Sequence, residues 1–296
     1  MNIRHFLFAS VCLFFAASCS DDGPTDYLVT IETPEGDMHA ILYDETPLHK
    51  ANFIKLAKAG FYNDQHFYRI IREFMIQGGD PKQSDLSKEE IGSRDTVTYT
   101  IPAEIRPQFF HERGTLAAAR QGDEINPDRA SSGSQFYIVQ GKVWPDAELN
   151  QFRYDQQAMF SGMDTLLRLP ENKWLLDSIR RTYESGNVQA YNELVFAQAS
   201  RVEQFTGKNV LRDLPAERVK VYTTTGGAPH LDDTYTVFGK ILDGFDVLEK
   251  LSQVQTGPGD KPLEPLPMTV SVKEMSRKRI SAKYGFTYPA EPAAKP

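Results

Sequence analysis

Short apolar stretches separated by turn residues limit the folds open to this chain more than any other feature. Residues 27–33 (YLVTIET) and 37–43 (DMHAILY) read as two strands, with Pro34-Glu35-Gly36 as the turn between them. Further short strands are expected at 67–71, 74–77, 97–101, 114–119 and 135–139, and late ones at 236–241 and 268–272. Two helices accompany them. One begins at Thr46-Pro47, with Thr46 as N-cap, buries Phe53, Leu56 and Ala57, and ends at Gly60; the other covers 244–251. Many short strands with only two flanking helices predict a mostly β fold that closes into a barrel.

From about residue 143 to 219 the apolar period changes from two to between three and four. Leu149, Phe152, Met159, Phe160, Met163 and Leu167 form one stripe; Trp174, Leu175, Ile179 and Tyr183 a second; Val188, Tyr191, Val195, Ala199, Val202 and Phe205 a third. Strand-like segments lie on both sides, so a helical insertion between two barrel strands is expected. It would pack on the barrel as a small bundle or, if it lies beside a binding groove, extend the contacts made there. The end of the chain, TYPAEPAAKP, has the composition of a disordered tail.

The chain has 296 residues and a formal net charge of −7, without a basic stripe, which argues against a nucleic-acid partner. Its two cysteines, Cys12 and Cys19, fall within the first 20 residues, so neither disulfides nor cysteine metal sites are expected beyond them. The six histidines show no metal-ligand spacing, and no phosphate-binding glycine motif occurs, so no metal and no cofactor is expected.

At the start, a basic residue (Arg4) precedes an apolar run from Phe6 to Ala17, about half the ~20 residues needed to span a bilayer. This reads as a secretory signal. Ala16-Ala17-Ser18-Cys19 resembles a lipobox, which implies cleavage before Cys19, lipidation of that cysteine and an extracytoplasmic, lipid-anchored chain on a bacterial membrane. The Ser20-Asp21-Asp22 that follows resembles the export signal of some surface lipoproteins and also suits the start of a solvated tether.

The segment FYRIIREFMIQGGD (residues 67–80) resembles the active-site signature of cyclophilins, which are peptidyl-prolyl cis-trans isomerases. GTLAAARQGDEINPDRASSGSQFYIV and TTTGGAPHLDDTYTVFGKILDGFDVLEKL resemble the next two characteristic blocks of that family, in the same order. The resemblance implies a closed eight-stranded antiparallel barrel with two flanking helices. It also implies a chain divided into a signal peptide (1–18), a lipidated tether (19–26), a first barrel part (27–142), the insertion (143–219), a second barrel part (220–276) and a tail (277–296).

The chemistry implied is rotation about the X–Pro amide bond, whose ~18–20 kcal/mol barrier comes from amide resonance. A catalyst needs only to bind the twisted amide better than the planar one. On the resemblance, Arg69 supplies the N–H donor and Gln77 holds it or binds substrate backbone. Phe74, Met75, Tyr137, Leu231 and Tyr235 line a proline pocket, while Ala119 and Gln135 contact the substrate chain. Three positions depart from common family choices: Arg120, where Asn is frequent; His230, where Trp is; and Tyr235, where His is. The partners implied are proline-containing polypeptides and a membrane, and the chain is expected to be a monomer. A catalytically weak module that only grips proline segments is the alternative.

Overall fold

The computed structural model describes residues 23–83, 87, 89 and 97–289. Cys12, the lipidation candidate Cys19, the Ser20-Asp21-Asp22 segment and the last seven residues of the tail lie outside the described residues. The chain forms two compact units, one of residues 27–273, the other of the two chain ends.

In the larger unit, β1 (Thr25–Thr33) and β2 (Gly36–Leu42) pair antiparallel from Val29↔Ala40 to Thr33↔Gly36, so the expected hairpin forms around Pro34-Glu35. Nine strands then make one sheet in the order β3-β11-β1-β2-β10-β7-β9-β5-β4. The others are β3 (Gln65–His66), β4 (Arg69–Ile71), β5 (Met75–Gly78), β7 (Thr115–Ala118), β9 (Phe136–Val139), β10 (Val237–Asp243) and β11 (Pro267–Ser276). A separate two-stranded ladder joins β6 (Thr100–Ile101) to β8 (Ser131–Ser132).

The two edge strands of the large sheet, β3 and β4, are separated in sequence only by Phe67 and Tyr68. A flat nine-strand sheet would hold its edges ~38 Å apart at ~4.8 Å per strand, whereas three Cα steps reach at most about 11 Å. The sheet must therefore curl strongly. Phe67 N–H donates to Leu266 O on one side of the seam, and Tyr68 N–H to Gln77 O on the other. Among the described residues no ladder joins β3 to β4, so the expected closed eight-stranded barrel is instead a curled nine-strand sheet whose edges the chain itself bridges. The strand read at 67–71 begins only at Arg69, and the additional strand β3 lies just before it, paired with β11 on the other side of the Phe67–Tyr68 seam.

The sheet wraps one core. Val29, Ile31, Met38, Ala40, Leu116, Ile138 and Phe238 from the strands meet Phe53, Leu56 and Ala57 from α1 (Pro47–Lys58) and Val247, Leu248 and Leu251 from the helix Phe245–Ser252. Thr46 does precede α1, but its hydroxyl donates to Tyr43 O at 3.2 Å and does not cap the helix. The cap is Glu104, whose carboxylate accepts the N–H groups of Leu48 (3.1 Å) and His49 (3.0 Å). The same carboxylate accepts His49 Nδ1–H at 2.7 Å, which leaves Nε2 to accept from Ser131 Oγ at 2.9 Å. Glu104 and His49 are both buried. Burial lowers the His49 pKa further than Glu104 raises it, so the ring is neutral near pH 7.

Between β9 and β10 the chain is mainly helical: Asp146–Leu149, Gln156–Leu167, Lys173–Glu184, Val188–Phe196, Ala199–Thr206 and Ala216–Thr224. Met159, Met163, Leu166, Leu175, Ile179, Val195 and Val202 form a second core there. Phe160, Trp174, Tyr183, Val188 and Phe205, which the stripes include, are exposed. The buried faces are narrower than the stripes, and Leu166, one residue before Leu167, fills the position that Leu167 was expected to occupy. A third small cluster of Leu149, Leu214 and Tyr222, with Trp144 and Phe152 against it, lies where the helical segment leaves and rejoins the sheet.

In the smaller unit the residues expected as a tail begin as a helix, Arg277–Tyr284. Ser276 Oγ caps it by accepting from Arg279 N–H at 3.3 Å, and Gly285 ends it at φ 70°. Among the described residues no helix is long and apolar enough to cross a membrane.

Candidate active site

Strand register assembles the site. β4 pairs with β5 as Arg69↔Gln77, Ile70↔Ile76 and Ile71↔Met75, and β5 pairs with β9 as Gln77↔Tyr137. Residues directly opposite share a face. Arg69, Gln77 and Tyr137 thus form a row across three strands on one face, while Ile70, Ile76 and Ile138 enter the core on the other. Between β4 and β5 a tight turn holds Glu73 at φ 61°, with Phe74 N–H donating to Ile71 O at 3.1 Å. The turn is pinned from β9, since Gln140 Oε1 accepts the Glu73 N–H at 2.5 Å and Phe74 O accepts the N–H groups of Gln140 and Gly141. Phe74 is thereby presented at the end of the row. Gly79, at φ +88°, lies so close to the next strand that a Cβ there would meet Ser134 O at 2.3 Å.

These side chains line a cavity of about 190 Å³ together with Met75, Ala119, Arg120, Leu231 and Tyr235. Eight of the nine expected site residues therefore meet in one place; the ninth, Gln135, stands behind it. Gln135 Oε1 accepts from Tyr68 OH at 3.0 Å, its Nε2 donates to Asp80 at 3.3 Å, and the Tyr68 hydroxyl accepts from Gln77 Nε2 at 2.5 Å. Gln77 Oε1 in turn accepts from Arg69 Nη1, and Asp260 accepts from Arg69 Nε, each at 3.4 Å. Both contacts are long and weak. They aim the guanidinium without consuming it, and Nη2 has no protein partner among the described residues. The backbone N–H and O of Ala119 bond Gln135 O and Ser132 N, so its methyl lines the wall.

The opposite wall is held by buried polar groups that local motifs do not reveal. Asp232 Oδ1 accepts both the backbone N–H of His111 (2.9 Å) and its Nδ1–H (3.0 Å). Nδ1 is thus committed to Asp232, and Nε2 on the far side of the ring hydrogen-bonds the Tyr137 hydroxyl at 3.0 Å. The other oxygen of Asp232 accepts from Tyr222 OH (2.7 Å) and Arg218 Nη1 (3.2 Å), both on the helix Ala216–Thr224. Burial pushes the Tyr137 phenol far above its ordinary range, so it stays protonated and its ring serves as an apolar wall. Tyr235 meets that ring edge-on at 6.0 Å and carries the Arg120 guanidinium 4.4 Å above its own face. Arg120 is held by Thr234 O (2.8 Å) and Asp123 (2.6 Å). His230 packs against Phe74 at 4.9 Å. Among the described residues no group of three or more His, Cys, Asp or Glu side chains is placed to hold a metal ion.

Tyr137→Phe keeps the ring and strands His111 Nε2. It is expected to cost about 1–2 kcal/mol of stability in denaturant unfolding, the penalty of one unsatisfied buried group, with little change in catalytic rate. A large rate loss at unchanged stability would show that the hydroxyl acts on the substrate.

Comparison with known proteins adds an independent line. The model of the family "Cyclophilin type peptidyl-prolyl cis-trans isomerase/CLD" matches residues 28–174 and 217–273, leaving out 175–216 within the helical segment. A Staphylococcus saprophyticus protein named "Putative peptidyl-prolyl cis-trans isomerase" is 30% identical over 234 residues, covering 79% of this chain and 84% of its own length. A Streptococcus pyogenes protein, "Putative bifunctional phosphatase/peptidyl-prolyl cis-trans isomerase", is 30% identical over 239 residues; the match spans 80% of this chain but only 36% of that protein. Among solved structures, a Cryptosporidium parvum cyclophilin-type isomerase aligns over 84% of this chain and 98% of its own at 20% identity and a TM-score of 0.47. With the family model covering well over half of its residues, the chain belongs to the cyclophilin-type peptidyl-prolyl cis-trans isomerases.

Proposed function

We propose that this isomerase assists the folding of extracytoplasmic proteins by seating a substrate proline in the 190 Å³ cavity and presenting Arg69 to the twisted amide. The observation that carries the reading is Arg69 itself, a permanently charged fork in a cavity lined also by Phe74, Met75, Tyr137, Leu231 and Tyr235, whose other guanidinium, Arg120, is committed to Asp123 and Thr234 O. The cavity has room for one small ring. As the amide rotates, its nitrogen loses conjugation and gains a localised lone pair; a guanidinium N–H directed there stabilises the twisted state more than the planar one. The hydrogen bonds through Gln77 and Asp260 set the direction of the fork before substrate arrives.

A module that only grips proline segments would need the apolar walls but no oriented cation, so the Arg69–Gln77 pair favours turnover. Isomerisation of a short proline peptide, followed with wild type and Arg69→Ala side by side, separates the two. Equal background rates would leave only the binding module.

The same proposal places the chain outside the cytoplasm on a lipid carried by Cys19. Its support is the sequence of the first 22 residues. Acyl chains worth ~0.8 kcal/mol per buried CH₂ would anchor it stably. Radiolabelled palmitate is expected to enter the wild-type chain and to be absent from Cys19→Ser; undiminished labelling of the variant would remove the anchor.

A further inference from the structure

A second cavity lies outside the site described above. It measures about 820 Å³ and runs between residues 142–154, where the chain leaves β9, and the helix Val188–Phe196. Its volume falls within the range of sites that enclose a sizeable ligand, while the proline cavity takes only a ring. Trp144 and Phe196 give it aromatic walls. Trp144 is fixed by its Nε1–H, which donates to Gly227 O at 2.9 Å, and Phe196 by stacking on Tyr154 at 4.7 Å.

Three of its four charged groups already have partners: Lys142 pairs with Glu148 at 2.9 Å, and Glu193 accepts from Gln189 at 3.0 Å. Arg153 is different. It is half-buried in the lining, and among the described residues its guanidinium has neither a carboxylate nor a hydrogen-bond acceptor. The side-chain amides of Asn150 and Asn192 likewise have no protein partner there.

No residue lines both cavities, but one hydrogen-bonded stretch of backbone links their linings. Phe74, which lines the proline cavity, accepts through its carbonyl the N–H groups of Gln140 and Gly141; Lys142, the next residue, lines the larger groove. A polypeptide seated with its proline against Phe74 lies beside the backbone that leads to Lys142 and the groove. The unpaired chemistry suits an extended chain: free amides for peptide groups, aromatic faces for an apolar side chain and one open guanidinium for a carboxylate. On a chain of net charge −7, an uncommitted cation in a groove is a specific invitation to an acidic residue.

We infer that this groove is a second subsite for the same unfolded client, holding the stretch that flanks the proline and selecting an acidic side chain with Arg153. The inference rests on the proposed isomerase reading and adds to it a preference for long, acidic segments.

The test uses the chain purified in detergent as the cell makes it, with three probes: a proline tetrapeptide and two peptides of about 16 residues that carry a glutamate-containing extension on one side or the other of the same Ala-Pro, long enough at ~3.4 Å per residue to cross from one cavity to the next. One extension is expected to bind about tenfold tighter than the tetrapeptide, the size of one charge-assisted hydrogen bond. Arg153→Glu is expected to abolish that gain while leaving tetrapeptide turnover unchanged. Asn192→Glu, which sets a further carboxylate in the groove from the other wall, should do the same and serves if the first variant does not fold. No gain for either extension, or a gain that survives both variants, overturns the subsite. So does a dimer that Arg153→Glu dissolves, because a second copy would then be the occupant. Absence of tetrapeptide turnover by the wild type would instead defeat the isomerase reading, a separate outcome.

Discussion

Arg69→Ala is expected to lower kcat/KM for a short proline peptide by roughly 10²–10³-fold, the cost of removing one preorganised donor from a reacting centre. That corresponds to about 2.7–4 kcal/mol of lost transition-state stabilisation. The fold should be nearly untouched. The Arg69 side chain is 40% exposed and its two protein contacts are 3.4 Å long, so their loss costs little stability. On the proposed reading KM should change less than kcat, because the proline ring would rest on Phe74, Met75, Leu231 and Tyr137 and the cation would matter only once the amide twists. Arg69→Lys sharpens the test. It keeps the charge but loses the planar fork that Gln77 and Asp260 aim, and should recover only part of the rate. A lysine variant with full activity would mean that a point charge suffices and that the two aiming contacts are incidental. Rates from peptide isomerisation, read beside denaturant midpoints, decide between these outcomes.

The second large effect is on stability. Glu104→Ala is expected to destabilise the chain by about 3–5 kcal/mol, since it orphans two buried N–H groups of α1 and the Nδ1–H of His49 in one step. At about 2–4 °C per kcal/mol for a unit of this size, the melting temperature should drop by roughly 6–20 °C. Glu104→Gln should fall between, because one amide oxygen cannot replace a carboxylate that accepts three donors. A loss below about 1 kcal/mol would show that water or a shifted side chain caps α1 instead.

The same cluster gives the wild type a pH dependence. The folded pKa of His49 lies below the ordinary histidine value of about 6.5, so as pH falls through that value the unfolded chain takes up the proton first. Stability contributed by the neutral ring is fully present above about pH 6.5 and is lost as pH falls through the lowered folded value. Denaturant midpoints between pH 7.5 and about 5 should decline, and His49→Asn should flatten that decline. An unchanged slope in the variant would assign the acid sensitivity to other groups.

What the sequence made legible divides by distance along the chain. The row Arg69–Gln77–Tyr137 lay within recognisable blocks, because a four-residue turn and two strand pairings suffice to assemble it. The strands read correctly wherever an apolar alternation lasted several residues; β3 and β8, with two residues each, carry no period to detect. Asp260 and Asp232 were not seen because the residues they orient stand 191 and 121 positions away. Glu104 was missed for the same reason: Thr46 is a good local cap, but a buried carboxylate 55 positions downstream outcompetes a hydroxyl for the helix N–H groups. In the helical segment the stripes are wider than the core: Phe160 and Trp174 stand one position off the faces that the second core uses, and Tyr183, one turn beyond Ile179, lies past the buried end of its helix.

The bonds from Arg218 and Tyr222 to Asp232 bear on how this chain can be shortened. To a protein engineer, the stretch between β9 and β10 looks like a single removable cassette. It is not one. Excising all of it would leave a buried carboxylate facing His111 with no counter-charge, directly behind the wall that shapes the proline cavity. The cut that respects the chemistry stops short of the helix Ala216–Thr224, close to where the family model resumes at residue 217. The last helix of the stretch is thus, by its bonds, part of the wall behind the proline cavity, whereas the helices before it could be removed without touching Asp232, at the cost of the larger groove.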